Sequence, residues 1–125
     1  MDLNMKILIA DDLPEARMVI INFLENIGFT NIKEADGGTA VLRALKKEKY
    51  DLILCDWNMP DMSGVEVLKK IRSDDKLKDI PFIMVTAETE KEKILAAIEA
   101  GVSNYILKPF TAETISAKLK KVFGD

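Results

Sequence analysis

Asp11-Asp12, Asp56 with Asn58 two positions on, Thr86-Ala87 and Lys108 are the residues of this chain whose types could do chemistry together. Each group directly follows a short apolar run: Ile7-Leu8-Ile9-Ala10, Leu52-Ile53-Leu54-Cys55, Phe82-Ile83-Met84-Val85 and Tyr105-Ile106-Leu107. Taken singly they say little, because Asp, Asn and Thr cap helices and fill turns, and a loop Lys is usually solvated. Taken together they pose an electrostatic problem. Two carboxylates about 5 Å apart repel by roughly 3 kcal/mol at an effective dielectric near 20, so three of them at one edge require a counter-ion. Oxygen donors with room for a phosphate suit Mg²⁺, which binds through one or two carboxylates plus phosphate oxygens. Zinc does not fit, since the sequence has no His and only one Cys. Phosphoryl transfer needs charge neutralisation and an in-line nucleophile and little else. Mg²⁺ and Lys108 would supply the first, and Asp56, at the end of the central strand, is the best-placed nucleophile. The Thr86 hydroxyl could reach a third phosphoryl oxygen, and the small Ala87 would leave the phosphate approachable.

The elements that must bring these residues together are legible in outline. The four apolar runs are continuous rather than alternating, as expected of strands buried on both faces of a parallel sheet, and a weaker strand is expected at about 31–35. Helical periodicity runs over about Pro14–Ile27, Gly38–Lys47, Gly64–Ser73, Glu90–Ala100 and Ala112–Phe123. Pro14 suits a first helical turn, Gly28 and Gly101 suit left-handed C-caps, and Thr89-Glu90-Lys91-Glu92 matches a capping box. The resulting string is βα repeated five times, a doubly wound α/β fold with one domain over residues 1–125. Right-handed crossovers place every strand-to-helix loop on one edge, where ligands of such folds bind.

Composition removes other classes. Eighteen Lys and Arg against 21 Asp and Glu give a net charge of −3, which offers no electrostatic grip on nucleic acid. A hydrophobic content of 48% is enough for a real core. Cys55 cannot form an intramolecular disulfide and reads as a buried hydrophobe. No leader segment and no run of membrane-spanning length is evident, so a cytoplasmic monomer without membrane contact is expected.

Asp11-Asp12, Asp56-Trp57-Asn58-Met59-Pro60, Met84-Val85-Thr86-Ala87-Glu88, Ala100-Gly101, Tyr105 and Lys108-Pro109-Phe110-Thr111 stand in order and at family spacing over nearly the whole chain. On these motifs the sequence resembles the receiver domains of two-component response regulators, and among them the chemotaxis regulators. The resemblance implies a flavodoxin-like sheet of strand order 2-1-3-4-5. It implies phosphorylation of Asp56 by a histidine kinase, with Asp12, Asp56 and the Asn58 backbone carbonyl on Mg²⁺ and Asp11 acting through a metal-bound water. Lys108 would bind the phosphoryl group next to a cis Lys108-Pro109 bond, and Thr86 and Tyr105 would form the switch pair. Lys91, Ile94 and Lys118 match the surface that meets the kinase and a flagellar switch protein; a phosphatase is a further expected partner. Three departures bear on partners. Glu15 adds a carboxylate near the pocket mouth, Ile98 stands where a small residue is common, and Asn104 stands where Gly is.

Since the sequence stops at Phe123-Gly124-Asp125 without an output domain, the expected output is phosphorylation-dependent binding. A relay intermediate passing phosphate to another histidine protein is the alternative within the family. An aspartyl-phosphate phosphatase of the haloacid dehalogenase type would want an acidic residue where Asn58 stands. A flavodoxin-like electron carrier would want a hydroxyl-rich phosphate loop after the first strand. Trp57, Asn58 and Glu88 are expected to border the pocket.

Overall fold

A computed structural model describes residues 1–124 of the chain. Strands and helices alternate strictly: β1 (Ile7–Ala10), α1 (Pro14–Ile27), β2 (Ile32–Ala35), α2 (Gly38–Lys47), β3 (Leu52–Cys55), α3 (Gly64–Arg72), β4 (Phe82–Thr86), α4 (Lys91–Glu99), β5 (Asn104–Leu107) and α5 (Ala112–Phe123). The strands form one parallel sheet in the order β2-β1-β3-β4-β5, as the resemblance implied. Ala10 lies level with Ala35 and Cys55, and Cys55 with Met84, so the carboxyl ends of the inner strands open onto a common edge.

The continuous apolar runs follow from burial on both faces. Leu8, Ala10, Ile53, Cys55, Phe82 and Met84 point to the side covered by Val41, Leu45, Val67, Leu68, Ile71 and Ala97 of α2, α3 and α4. Their alternate neighbours Ile7, Ile9, Leu52, Leu54, Ile83 and Val85 meet Ile20, Leu24, Ile115 and Leu119 of α1 and α5. The edge strand β2 shows why its run is weaker: Lys33 and Glu34 are exposed and only Ala35 is buried. Cys55 is fully buried, and burial pushes its thiol far above the usual range, so it is inert as a nucleophile.

Helix ends follow the expected punctuation with one exception. Pro14 opens α1, and Gly28 and Gly101 take the positive φ values of 125° and 96°. The capping box expected at Thr89 does not form. The residue flanking α4 is Glu90, and no side chain caps that end. The reason lies in the preceding loop: the Glu88 N–H donates to the Thr86 hydroxyl at 3.3 Å and the Glu88 carbonyl accepts from Tyr105 at 3.0 Å. That drawing-in toward the sheet edge makes the chain enter the helix one residue later. Side-chain caps are found instead at Ser63 and Thr111, which accept from the N–H groups of Glu66 and Thr114.

Arg72 fastens three segments at once. Its guanidinium donates to the carbonyls of Gly101 (3.0 Å), Lys78 (2.9 Å) and Ile80 (2.6 Å), joining the end of α3 to the α3–β4 connection and the α4–β5 turn. Arg72→Ala should lower stability by about 2 kcal/mol, and Arg72→Lys should recover less than half of that because an ammonium lacks the planar fork. Urea denaturation checks this through a lowered midpoint at unchanged slope.

Candidate functional site

β1 and β3 end side by side, so the residues after them share one corner of the sheet edge. One carboxylate oxygen each from Asp11, Asp12 and Asp56 lie within 4.8 Å of one another. Asp11 is buried and Asp12 is exposed. The Asp11 carboxylate accepts from the Leu13 N–H at 3.0 Å and from Lys108 Nζ at 2.9 Å. Lys108 Nζ also stands 3.8 Å from Asp56 Oδ1, so the ammonium on the loop after β5 bridges the ends of β1 and β3. The Asp11 backbone is fixed as well: Arg17 Nη1 donates to its carbonyl at 2.6 Å while Arg17 Nε pairs with Glu34 at 2.8 Å.

Burial raises the Asp56 carboxyl above its usual pKa. The Lys108 charge opposes that rise, Asp11 adds to it, and hydrogen bonds from the Trp57 backbone and the Thr86 side chain draw it back. Three carboxylates against one ammonium leave a charge of −2 in an all-oxygen setting, a donor set that fits a hard divalent cation.

The other side of the edge is organised around Glu88. Its carboxylate accepts from Asn58 Nδ2 and from Lys93 Nζ, each at 3.0 Å, and these contacts hold its pKa below the usual value. Lys93 Nζ lies 6.0 Å from the centre of the buried Trp57 ring. Thr86 is fully buried with its hydroxyl accepting from the Glu88 N–H, and the half-buried Tyr105 donates to the Glu88 carbonyl. The two residues named as a switch pair therefore meet through one loop residue. Lys91 is exposed and Ile94 and Lys118 are half-buried, while Leu95 and Ile98 are exposed on α4 and Leu107 at the end of β5.

Two residues that the sequence reading passed over also bear on this corner. Asp61, in the loop between β3 and α3, accepts hydrogen bonds from the backbone of α2. Gly64 donates its N–H to the Trp57 carbonyl at 2.8 Å, and a Cβ there would collide with the Asp56 carbonyl and come within 2.9 Å of Met84 Sδ. The glycine serves close approach, since no positive φ is involved. Gly64→Ala should cost about 2 kcal/mol of stability and weaken Mg²⁺ binding, because the backbone that must shift carries Asp56. Thermal denaturation with and without Mg²⁺ separates the two effects.

The profile of the response regulator receiver domain matches residues 7–120. The chain belongs to the receiver family. It is 50% identical over 120 residues to the chemotaxis protein CheY-3 of Vibrio cholerae, covering 96% of this chain and 92% of that one. It is 46% identical over 119 residues to the chemotaxis protein CheY of Pseudomonas aeruginosa, covering 95% and 96%. Among solved structures, the chemotaxis response regulator CheY4 of Vibrio cholerae superposes with a TM-score of 0.87 at 32% identity, over 95% of this chain and 98% of that one. The receiver domain of a sensor histidine kinase from Pseudomonas aeruginosa, with a magnesium ion coordinated in its active-site cleft, gives a TM-score of 0.87 at 25% identity over 98% and 99%. This receiver is thus a response regulator of the chemotaxis type, a signalling switch working with a histidine kinase and a downstream target. Receiver domains bind Mg²⁺ at an acidic site, and the Asp cluster of this receiver is of that kind. No helix among the described residues is long and apolar enough to cross a membrane.

Proposed function

We propose that residues 1–125 act as a single receiver domain that accepts a phosphoryl group on Asp56 from the phosphohistidine of a chemotaxis histidine kinase. A carboxylate oxygen of Asp56 forms the new bond to phosphorus, the bond from phosphorus to the imidazole nitrogen breaks, and the imidazole leaves with the electron pair. The observation that carries this reading is the placement of Asp56 at the end of a central strand, within 4.8 Å of two carboxylates and 3.8 Å of an ammonium. Asp12, Asp56 and the Asn58 backbone carbonyl would hold Mg²⁺, with Asp11 acting through a coordinated water; the ion supplies neutralising charge to the phosphoryl oxygens. Lys108, 2.9 Å from Asp11, turns its ammonium to the new phosphoryl group.

The output follows from Thr86 and Tyr105. Drawing the Thr86 hydroxyl toward a phosphoryl oxygen breaks its bond from the Glu88 N–H and frees the loop that Tyr105 holds. The ring then moves inward and alters the face that carries Lys91, Ile94 and Lys118. The proposed partners of that face are the kinase, a flagellar switch protein and a phosphatase, with the chain monomeric and cytoplasmic. Transfer to another histidine protein is the competing output. Sustained phosphatase activity is disfavoured because Asn58, two positions after Asp56, offers no general acid or base.

The test is incubation with acetyl phosphate or a phosphoramidate with and without Mg²⁺, followed by intact mass and by Trp57 fluorescence. A Mg²⁺-dependent gain of about 80 Da is expected, the mass of one phosphoryl group. No gain under any Mg²⁺ concentration would overturn the reading.

A further inference from the structure

Helix α2 begins at Gly38 after Gly37, and neither has a side chain to satisfy the exposed N–H groups of the first turn. Those groups are satisfied from elsewhere in the chain. Asp61 Oδ1 accepts from the Gly38 N–H at 3.0 Å and Oδ2 from the Thr39 N–H at 2.9 Å, across 23 and 22 residues of sequence. A carboxylate at a helix N-terminus also meets the positive end of the helix dipole.

What makes this more than a helix cap is the segment that supplies it. Asp61 lies in the loop from Asp56 to Ser63, the same loop that contains Asn58, whose backbone carbonyl is the proposed metal ligand. The loop is fastened at its far end by Ser63, which caps α3, and by the Gly64 N–H on the Trp57 carbonyl. Between those points Asn58 Nδ2 donates to Glu88 on the far side of the edge, and Asp61 ties the loop to α2 through its pair of backbone bonds. The glycines opposite are shaped to receive it: a Cβ at Gly37 would lie 2.8 Å from Asp61 Oδ1, and one at Gly38 would lie 2.7 Å from Met62 Cβ. Gly37 has extended backbone, φ −177°, that any residue adopts, so its lack of a side chain is explained by the room that Asp61 occupies and not by conformation.

We infer that Asp61 is a positioning residue for the acidic site: by clamping the β3–α3 loop onto the start of α2, it sets the height of the Asn58 carbonyl beside Asp56. The inference rests on the proposed metal-assisted phosphorylation of Asp56. It predicts that α2, which carries no site residue, is coupled to the metal site through one carboxylate.

The test separates the clamp from ordinary helix capping. Asp61→Ala removes both. Adding Gly37→Ser to Asp61→Ala returns a local hydroxyl cap to α2 without returning the tie to the loop, and the space vacated by the carboxylate admits the new side chain. Mg²⁺ affinity is read by Trp57 fluorescence titration, and labelling rate by intact mass at subsaturating Mg²⁺. Both are measured where circular dichroism shows every variant folded. Asp61→Ala is expected to weaken Mg²⁺ binding by about tenfold, the scale of losing an outer-sphere support. The double variant is expected to keep that defect while its thermal midpoint rises, and Asp61→Asn, with one acceptor left, to fall in between. Wild-type Mg²⁺ affinity in Asp61→Ala, or its return in the double variant, overturns the clamp. Failure of the wild-type chain to label overturns the phosphorylation reading instead, and the Mg²⁺ titration still decides the clamp.

Discussion

Asp56→Asn will gain no mass under conditions in which the wild-type chain gains about 80 Da from a small phosphodonor and Mg²⁺. The loss should be complete, because the amide that replaces the carboxylate is not a nucleophile for phosphorus. The neighbours should behave differently in kind. Asp11→Asn and Asp12→Asn each remove a charge from the cluster without removing the acceptor, so labelling slows by roughly tenfold to a hundredfold and still occurs, the usual scale for groups that hold or orient a metal. Each carboxylate lies within 4.8 Å of the other two, so nonspecific damage to the corner would hit all three variants alike. Intact mass against time distinguishes the patterns. Equal, complete loss in all three would remove the assignment of Asp56 as the acceptor.

A second large effect is expected on stability. Burial and the Asp11 charge hold the Asp56 carboxyl above its usual pKa in spite of Lys108, so the folded chain binds that proton more tightly than the unfolded chain does. The sign follows by linkage. Above the raised pKa the ionised group costs stability, and the cost disappears as pH falls through that value. With metal chelated near neutral pH, Asp56→Asn should therefore be more stable than wild type, by on the order of 1 kcal/mol. That gain should shrink as pH falls through the carboxyl range.

Mg²⁺ should reverse the ranking. At a hundredfold excess over its Kd, an ion that binds only the folded state adds about 2.7 kcal/mol, while Asp56→Asn, short of one donor, responds far less. For a chain of this size that corresponds to a rise of roughly 10 °C in the wild-type midpoint. Differential scanning calorimetry across pH, with chelator or with millimolar Mg²⁺, measures both the pH dependence and the reversal. A wild-type midpoint indifferent to Mg²⁺ would count against the acidic corner as a metal site. The site is thus costly to the fold until a cation arrives, the trade expected where like charges are gathered for function.

Much of this is legible in the amino-acid sequence. Continuous apolar runs announced strands buried on both faces, and the polar residues after each run identified the working edge, because a parallel βαβ arrangement leaves those loops nowhere else to go. The edge strand β2 was faint for a physical reason: Lys33 and Glu34 face water, so the stretch has no unbroken apolar pattern to detect. The Thr89 capping box failed because a local rule lost to tertiary bonds, the Glu88 backbone being spent on Thr86 and Tyr105.

By itself, then, the sequence determined the chemical identity of the site: three carboxylates, a hydroxyl and an ammonium, each at the end of an apolar run. Those positions depend only on residue type and on the period of the chain. The tertiary structure decided what those groups do to one another. That Lys108 bonds Asp11 at 2.9 Å while standing 3.8 Å from Asp56 is a fact of packing between segments 97 and 52 residues apart. That Asp61 caps α2, and that Gly64 must lack a side chain beneath the Asp56 carbonyl, follow equally from contacts across the fold. Local propensity carries no information about such contacts, because the partners meet only after the sheet has brought their loops to the same edge.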